Sequence, residues 1–481
     1  MPDTETDIDQ REVRLRTAPE SAGNESVLEL SAVELSGGIR RGEIGPVELM
    51  RAVLDRADRV DKRYSCFQTV DPGAALAAAH RAERELSTGA DLGVLHGIPL
   101  TVKDLVGTAE LPTRWGSARP VQPAPDAPSI RLLGASGAIV VGKTTTPEFG
   151  HKAVTDSLIS PPTRNPWDPR RTAGGSSGGA AVAVATGIGP VAVATDGGGS
   201  IRIPAAFCGV LGVKPTSGTV PTYPPSKLGV LGHVGVISRS AADAALTLDV
   251  LSGRAEAGLG TAPPIPLAAA ERAEIRVGHF RSVDGRDPDP AVQEAFERTV
   301  DLLRQSGFRV IPVPVDFPDA GPVWDALFLS AMAVEVGGST DPGYPISPTL
   351  RSAVQDWAAG PRDGALDGET RRAVLRHRVA ALFDDVDLLL SPTLPVTAFP
   401  VGQPGPADRI AADGHDRGWW RNTQLWNLTG MPAASFPTGC DRDGLPIGMH
   451  LAAPWGRDQE MLRMLVTLER DGIVRYPRWT P

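Results

Sequence analysis

Between residues 94 and 255 the chain repeats one pattern: a short apolar run, a glycine-rich loop, then helix-forming residues. His96-Gly-Ile-Pro-Leu-Thr-Val-Lys103 reads as one strand, Ala138-Ile-Val-Val141 as a second and Val191-Ala-Val-Ala-Thr195 as a short buried third. Ala180 to Ala185 reads as a helix of small residues that follows a glycine loop. Strands that alternate with helices need crossover connections, which place them side by side in one sheet. The expected fold class is therefore α/β. A chain of 481 residues has room for three domains or for one large one with insertions. The expectation adopted is a single large domain with a mixed, mostly parallel central sheet covered by helices.

The flanks carry their own signals. Ser31-Ala-Val-Glu34 reads as a capping box, and Gly45-Pro46 opens a second helix with Val47, Met50, Leu54 and Ala57 at helical spacing. Residues 72–87 are alanine-rich and read as a third helix. Residues 256–270 read as a linker or surface excursion, Glu274-Ile-Arg-Val-Gly278 as the start of a strand, and Asp289 to Ser306 as a helix. Too many glycines and prolines interrupt 318–370 to place elements there, and whether that stretch forms a lid stays open. Val386-Asp-Leu-Leu-Leu390 reads as a buried strand, and Asn427-Leu-Thr-Gly-Met-Pro432 as a helix end with its stop signals. Polar residues 1–26 are expected to be a mobile segment ahead of a domain spanning 27–481. That domain divides into a core at about 94–255, a variable region at about 256–375 and a C-terminal part at about 376–475.

Composition excludes several functions. The net charge is −9, with no basic excess to displace counterions from phosphates, so no nucleic-acid partner is expected. The three cysteines, Cys66, Cys208 and Cys440, are too far apart for a disulfide framework or a zinc site, which suits a reducing, cytoplasmic setting. The eight histidines show no metal-ligand spacing. No run of about 18 apolar residues occurs, and the N-terminal stretch lacks the apolar core of a signal peptide, so no membrane role is expected.

Three glycine motifs compete for the chemistry. Gly137-Ala-Ile-Val-Val-Gly142-Lys143-Thr144 matches the phosphate-loop pattern, but its middle is a strand-forming run and Pro147 stands where a helix should begin. Gly174-Gly-Ser176-Ser-Gly178 matches a nucleophile elbow, but three prolines occupy the preceding stretch where a feeding strand should be. Asp196-Gly-Gly-Gly-Ser200 places a serine after three glycines at the end of a strand. Glycines let successive amides turn toward one point. Such amides can hold an oxyanion, each donor being worth about 3–4 kcal/mol at acyl-transfer sites.

Taken together, the second and third motifs resemble the signature of the amidase signature family. The resemblance runs from Gly174-Gly-Ser-Ser-Gly-Gly179 through Asp196-Gly-Gly-Gly-Ser-Ile-Arg202 to Pro204-Ala-Ala-Phe-Cys-Gly-Val-Leu-Gly-Val-Lys-Pro-Thr216. It reaches back to Gly97-Ile-Pro-Leu-Thr-Val-Lys-Asp104 and forward to His233-Val-Gly-Val-Ile-Ser-Arg239, then more weakly to Asn427-Leu-Thr-Gly-Met-Pro-Ala433. It covers most of residues 28–255 and parts of 376–470. The resemblance implies a catalytic triad of Lys103, Ser176 and nucleophile Ser200, with Ser176 on a cis peptide. It implies an oxyanion hole from the amides of Gly197, Gly198, Gly199 and Ser200, braced by Ser177, Asp196 and Arg202. Gly150 and His151 fall where some family members contact the acyl chain, and the residues themselves make Trp419, Trp420 and Trp426 candidates to line an apolar acyl pocket. Family members more often carry threonine or isoleucine at Gly197; glycine keeps the amide and loosens the loop.

The chemistry of these residue types agrees. A free lysine has a pKa near 10.4, and burial in an apolar pocket lowers it until the neutral amine can act as a base. Neutral Lys103 would take a proton from Ser176, which takes one from Ser200, and no metal or organic cofactor is required. The implied activity is hydrolysis of a small, apolar amide. A carbamate or ester hydrolase with the same triad is an alternative, as is the A-type subunit of a tRNA-dependent amidotransferase. Amidotransferase subunits bear tyrosine and aspartate in the segment that here reads Gly418-Trp-Trp-Arg-Asn-Thr-Gln-Leu-Trp426, which favours a stand-alone amidase. The sequence leaves the oligomeric state open, a homodimer included.

Overall fold

The computed structural model describes residues 25–253, 266–315, 319–360, 364–409 and 418–480. Among the described residues eleven strands form one sheet: β1 (Phe67–Val70), β2 (Pro99–Lys103), β3 (Ile139–Thr144), β4 (Val191–Asp196), β5 (Leu211–Lys214), β6 (His233–Ser238), β7 (Arg276–His279), β8 (Arg309–Pro312), β9 (Leu388–Pro392), β10 (Ala433–Cys440) and β11 (Pro446–Ala452). Their spatial order is β1-β3-β2-β4-β6-β5-β10-β11-β9-β7-β8.

The sheet is mixed, as expected, but it is not mostly parallel. Parallel pairing is confined to β2 with β3 and β4, and to β7 with β8 and β9. The other six pairings are antiparallel. The alternation of runs and loops is the same for either direction, which is why it could not reveal this. One local signal does: Asp443-Gly444 is a hairpin dipeptide. The Asp441 amide donates to the Leu445 carbonyl there, at 2.9 Å, and β10 turns straight back as β11.

Helices form where the local signals place them. The Ser31 hydroxyl accepts from the Glu34 amide while the Glu34 carboxylate accepts from the Ser31 amide, closing the capping box of helix Ala32–Arg40. Pro46 and Pro72 start the next two helices, Pro46–Tyr64 and Pro72–Ser87. The stretch that could not be placed is helical: Ala320–Glu335, Pro348–Ala359 and Gly364–Ala381. Of the expected mobile segment, residues 1–24 lie outside the described residues, while Glu25–Glu29 form a 3-10 helix. Most of the expected linker, residues 256–265, also lies outside them.

Two hydrophobic cores lie on opposite faces of the sheet. Along β9, Leu388 and Leu390 enter the first core and Leu389 the second. Along β10, Ala434 and Phe436 enter the first and Ala433 the second. That alternation is the two-residue period of a strand. The second core contains the helices from 320 to 381 and the tryptophans Trp324, Trp419, Trp420 and Trp426. Among the described residues no helix is long and apolar enough to cross a membrane.

Candidate active site

Parallel pairing of β2 with β4 brings their C-terminal ends together, so Lys103 at the end of one lies beside Asp196 at the end of the other. Open α/β sheets bind ligands at the carboxyl ends of such strands. The helix Gly178–Ala185 packs over these two strands with all eight residues buried. Its composition follows from that packing. A Cβ at Gly179 would lie 2.4 Å from the Cys66 carbonyl oxygen, and one at Gly178 would lie 2.5 Å from Thr155 Oγ1. The loop entering this helix carries Ser176 after a cis Gly175-Ser176 peptide bond, as the resemblance implied.

Lys103 is completely buried, and its Nζ donates to Ser176 Oγ at 2.7 Å and to the Thr195 carbonyl at 3.3 Å. Burial pushes the Lys103 pKa well below the usual lysine value, and nearby Asp196 only partly restores it. A neutral amine at this distance can accept the Ser176 proton. Ser200 is half-buried, and its carbonyl accepts from the Ser177 amide at 3.1 Å. The two loops are thereby joined, although no hydrogen bond links the Ser176 and Ser200 hydroxyls in this structure. A Cβ on Gly150 would lie 3.1 Å from Ser176 Oγ, so Gly150 lies against Ser176.

The glycine run is held by its carbonyls. In a trans peptide, C=O and the following N–H point in opposite directions, so anchoring one aims the other. The Asp196 carbonyl accepts from Asn427 Nδ2 at 3.0 Å, and the Gly197 carbonyl from Trp324 Nε1 at 2.8 Å. The Gly198 carbonyl accepts from Thr423 Oγ1 at 2.6 Å, and the Gly199 carbonyl from the Ile203 amide at 2.7 Å. The amides of Gly199 and Ile201 then donate to the Asp196 carboxylate at 2.7 and 3.0 Å. This corrects one sequence-based expectation: the Gly199 amide is committed to Asp196 and cannot serve an oxyanion in this arrangement. The amides of Gly197, Gly198 and Ser200 make no hydrogen bond among the described residues.

The braces meet in one buried network. Arg202 Nε and Nη2 grip the two Asp196 oxygens at 3.0 and 2.9 Å, and Nη2 also donates to Asn427 Oδ1 at 2.6 Å. Burial alone would raise the Asp196 pKa; the Arg202 guanidinium and these donors overrule it and hold the carboxyl well below the usual range. His450 Nε2 lies 3.1 Å from Arg202 Nη1 and so must accept, and burial correspondingly pushes the His450 pKa down. Ser177 Oγ donates to the Thr195 carbonyl at 3.1 Å.

The other two expected substrate contacts have protein neighbours of their own. His151 spends Nδ1 on the Glu148 carbonyl and Nε2 on Thr349 Oγ1, both at 2.6 Å, tying its turn to the helix Pro348–Ala359. Trp426 is buried, with its ring edge-on to His450. The tryptophans against the glycine run are Trp420 and Trp324, both within 3 Å of where a Gly198 Cβ would stand, with Leu228 beside Gly197. Lys143 is on strand β3 and donates to the Val106 carbonyl at 2.6 Å and Thr113 Oγ1 at 2.8 Å, which settles the phosphate-loop pattern as coincidence. Asn427, Thr423 and Trp324 had no assigned role in the sequence. Asn427 sat in a quoted motif and Thr423 in the quoted segment 418–426, whereas Trp324 lies in the stretch that could not be placed.

Known proteins fit this geometry. Residues 48–462 match the family described as Amidase. The chain is 34% identical over 478 residues to the indoleacetamide hydrolase of Bradyrhizobium diazoefficiens, covering 94% of this chain and 88% of that one. It is 33% identical over 479 residues to the A-type subunit of the glutamyl-tRNA(Gln) amidotransferase of Acidothermus cellulolyticus, covering 91% and 94%. A solved bacterial aryl acylamidase of the amidase signature enzymes superposes with a TM-score of 0.81 at 26% identity, covering 92% of this chain and 96% of that one. Fold and likeness together define a hydrolase acting on amide C–N bonds. The chain belongs to the amidase signature family.

Proposed function

We propose that this enzyme hydrolyses small, apolar amides through an acyl-enzyme on Ser200. The observation that carries the proposal is the buried 2.7 Å contact between Lys103 Nζ and Ser176 Oγ, set at the strand ends beside the glycine loop of Ser200. Neutral Lys103 accepts the Ser176 proton as Ser176 accepts that of Ser200, and Ser200 Oγ bonds to the substrate carbonyl carbon. The amides of Gly197, Gly198 and Ser200 donate to the oxyanion. On collapse the C–N bond breaks, and the relay delivers its proton to the departing amine. A water molecule then cleaves the acyl-enzyme by the same route, yielding the acid and free Ser200. Leu228, Trp420, Trp324 and Leu105 around the loops favour an apolar acyl group over a charged one. The names of two similar proteins, an indoleacetamide hydrolase and an aryl acylamidase, support an aromatic acyl or amine part.

The test is release of ammonia or amine from a panel of aryl and alkyl amides by the isolated chain, beside matched carbamates and esters. Turnover of apolar amides that disappears in Ser200→Ala supports the proposal; turnover that survives in Ser200→Ala overturns it. The likeness to the A-type subunit of an amidotransferase favours a second reading, in which amide cleavage serves partner subunits. Activity of the isolated chain on apolar amides, with none on glutamine, decides against it. The three cysteines, all free, agree with work in the reducing cytoplasm.

A further inference from the structure

The glycine loop is anchored at five successive carbonyls, and four of the five donors come from the signature motifs or the short segment 423–427 beside the quoted Asn427 motif. The fifth is Trp324, from helix Ala320–Glu335 of the variable region. Its indole N–H donates to the Gly197 carbonyl at 2.8 Å. That carbonyl shares a peptide plane with the Gly198 amide, one of the amides left to meet an oxyanion. The ring is fixed on both sides: it stacks on Phe328 with centroids 4.2 Å apart and meets Trp420 edge-on at 5.0 Å. Asp319, which caps the same helix, pairs with Arg421 at the start of helix Arg421–Thr429, the helix that carries Thr423 and Asn427.

We infer that Trp324 is a positioning residue for catalysis, whose indole N–H fixes the Gly197–Gly198 peptide plane so that the Gly198 amide meets the oxyanion. The inference rests on the acyl-enzyme reading above and extends it. It makes helix Ala320–Glu335 part of the rate-setting apparatus. Without the indole donor the plane is free to rotate about its flanking glycine dihedrals, which have little steric resistance. The amide would then have to be ordered during the reaction, so the loss falls on the transition state and not on ground-state binding.

Two variants separate the N–H from the ring. Trp324→Phe keeps an aromatic ring against Phe328 and Trp420. Replacement by 3-benzothienylalanine, introduced with an orthogonal synthetase, keeps the bicyclic shape and lacks only the N–H. Both are expected to lower kcat about tenfold to a hundredfold, below the loss for deleting an oxyanion donor outright, with KM nearly unchanged. Affinity for a trifluoromethyl ketone analogue of the best substrate should fall by the same factor as kcat/KM. A benzothienylalanine variant with wild-type kcat and analogue affinity would overturn the inference, even if Trp324→Phe were impaired, because the ring alone would then explain the effect. Ser200→Ala, assayed alongside, tells the two levels apart. If its activity persists, the acyl-enzyme reading fails. If it is inactive while both Trp324 variants are unimpaired, only the role of Trp324 fails.

Discussion

Replacing Asp196 with asparagine should damage stability and rate for separable reasons. Asp196 is fully buried and holds Arg202 by two bonds, and it also accepts the Gly199 and Ile201 amides. Asparagine leaves the Arg202 guanidinium without its counter-charge in a site it cannot leave. Breaking a buried pair from one side costs about 3–5 kcal/mol. For 481 residues the unfolding entropy is about 1 kcal/mol per kelvin, so Tm should fall by about 3–5 °C. The rate should fall further than that instability explains. The asparagine amide presents one acceptor and one donor to two backbone N–H groups, so one of them turns away and the loop of Ser200 shifts. A loss of about a hundredfold in kcat is expected, similar to removing one oxyanion donor. The double variant Asp196→Asn/Arg202→Met separates the effects. It removes the orphaned charge and should recover most of the Tm while leaving kcat low. Differential scanning calorimetry and single-substrate kinetics on the three proteins measure both. Recovery of kcat together with Tm would refute the reasoning, because Asp196 would then act through stability alone.

Other expectations follow from the same geometry. If neutral Lys103 is the base, kcat/KM should fall as pH drops through its lowered pKa, and the residual activity of Lys103→Ala should lack that acidic limb; a limb that persists assigns it to another group. Gly150→Ala places a Cβ 2.7 Å from Leu105 Cδ1 and 3.1 Å from Ser176 Oγ at a positive φ of 70°, so kcat should drop at least about tenfold while Ser200-independent binding of a product acid changes little. Burial, with Lys214 nearby, lowers the His233 pKa to about 3, and its Nδ1 serves the Leu231 carbonyl. A histidine held neutral in the fold binds its proton only when unfolded, so its contribution is intact above pH 6.5 and shrinks as pH falls toward 3. His233→Asn should therefore reduce the loss of stability between pH 7 and pH 5 by about 2 kcal/mol, read by urea melts at the two pH values; an unaltered difference would place the charge change elsewhere.

Local signals were legible in the sequence, and assembly was not. The Ser31 capping box, the prolines that open two helices and the Gly430 stop after Thr429 are all written in neighbouring residues, and each appears where the sequence put it. Strand direction depends on long-range pairing, so β5, β6, β10 and β11 turned a mostly parallel expectation into a sheet with more antiparallel neighbours. The motif residues converge at the site because β2 and β4 run side by side, which the motif spacing alone does not say. The commitment of the Gly199 amide was hidden for the same reason: it depends on where the Asp196 carboxylate points once Arg202 and Asn427 grip it. Trp426 illustrates the limit of a composition argument. Three tryptophans within eight residues marked an aromatic region, but helical spacing sends Trp420 toward Gly198 and Trp426 toward His450.

The central claim is that Ser200 is the nucleophile and that Ser176 and Lys103 activate it. Its most direct test is reaction of the intact chain with a fluorophosphonate, with the adduct located by peptide mass spectrometry, beside Lys103→Ala and Ser176→Ala. The account predicts stoichiometric labelling of Ser200 at a rate that collapses in both variants. Labelling of Ser176 in place of Ser200, or a Ser200 rate that neither variant changes, would contradict it.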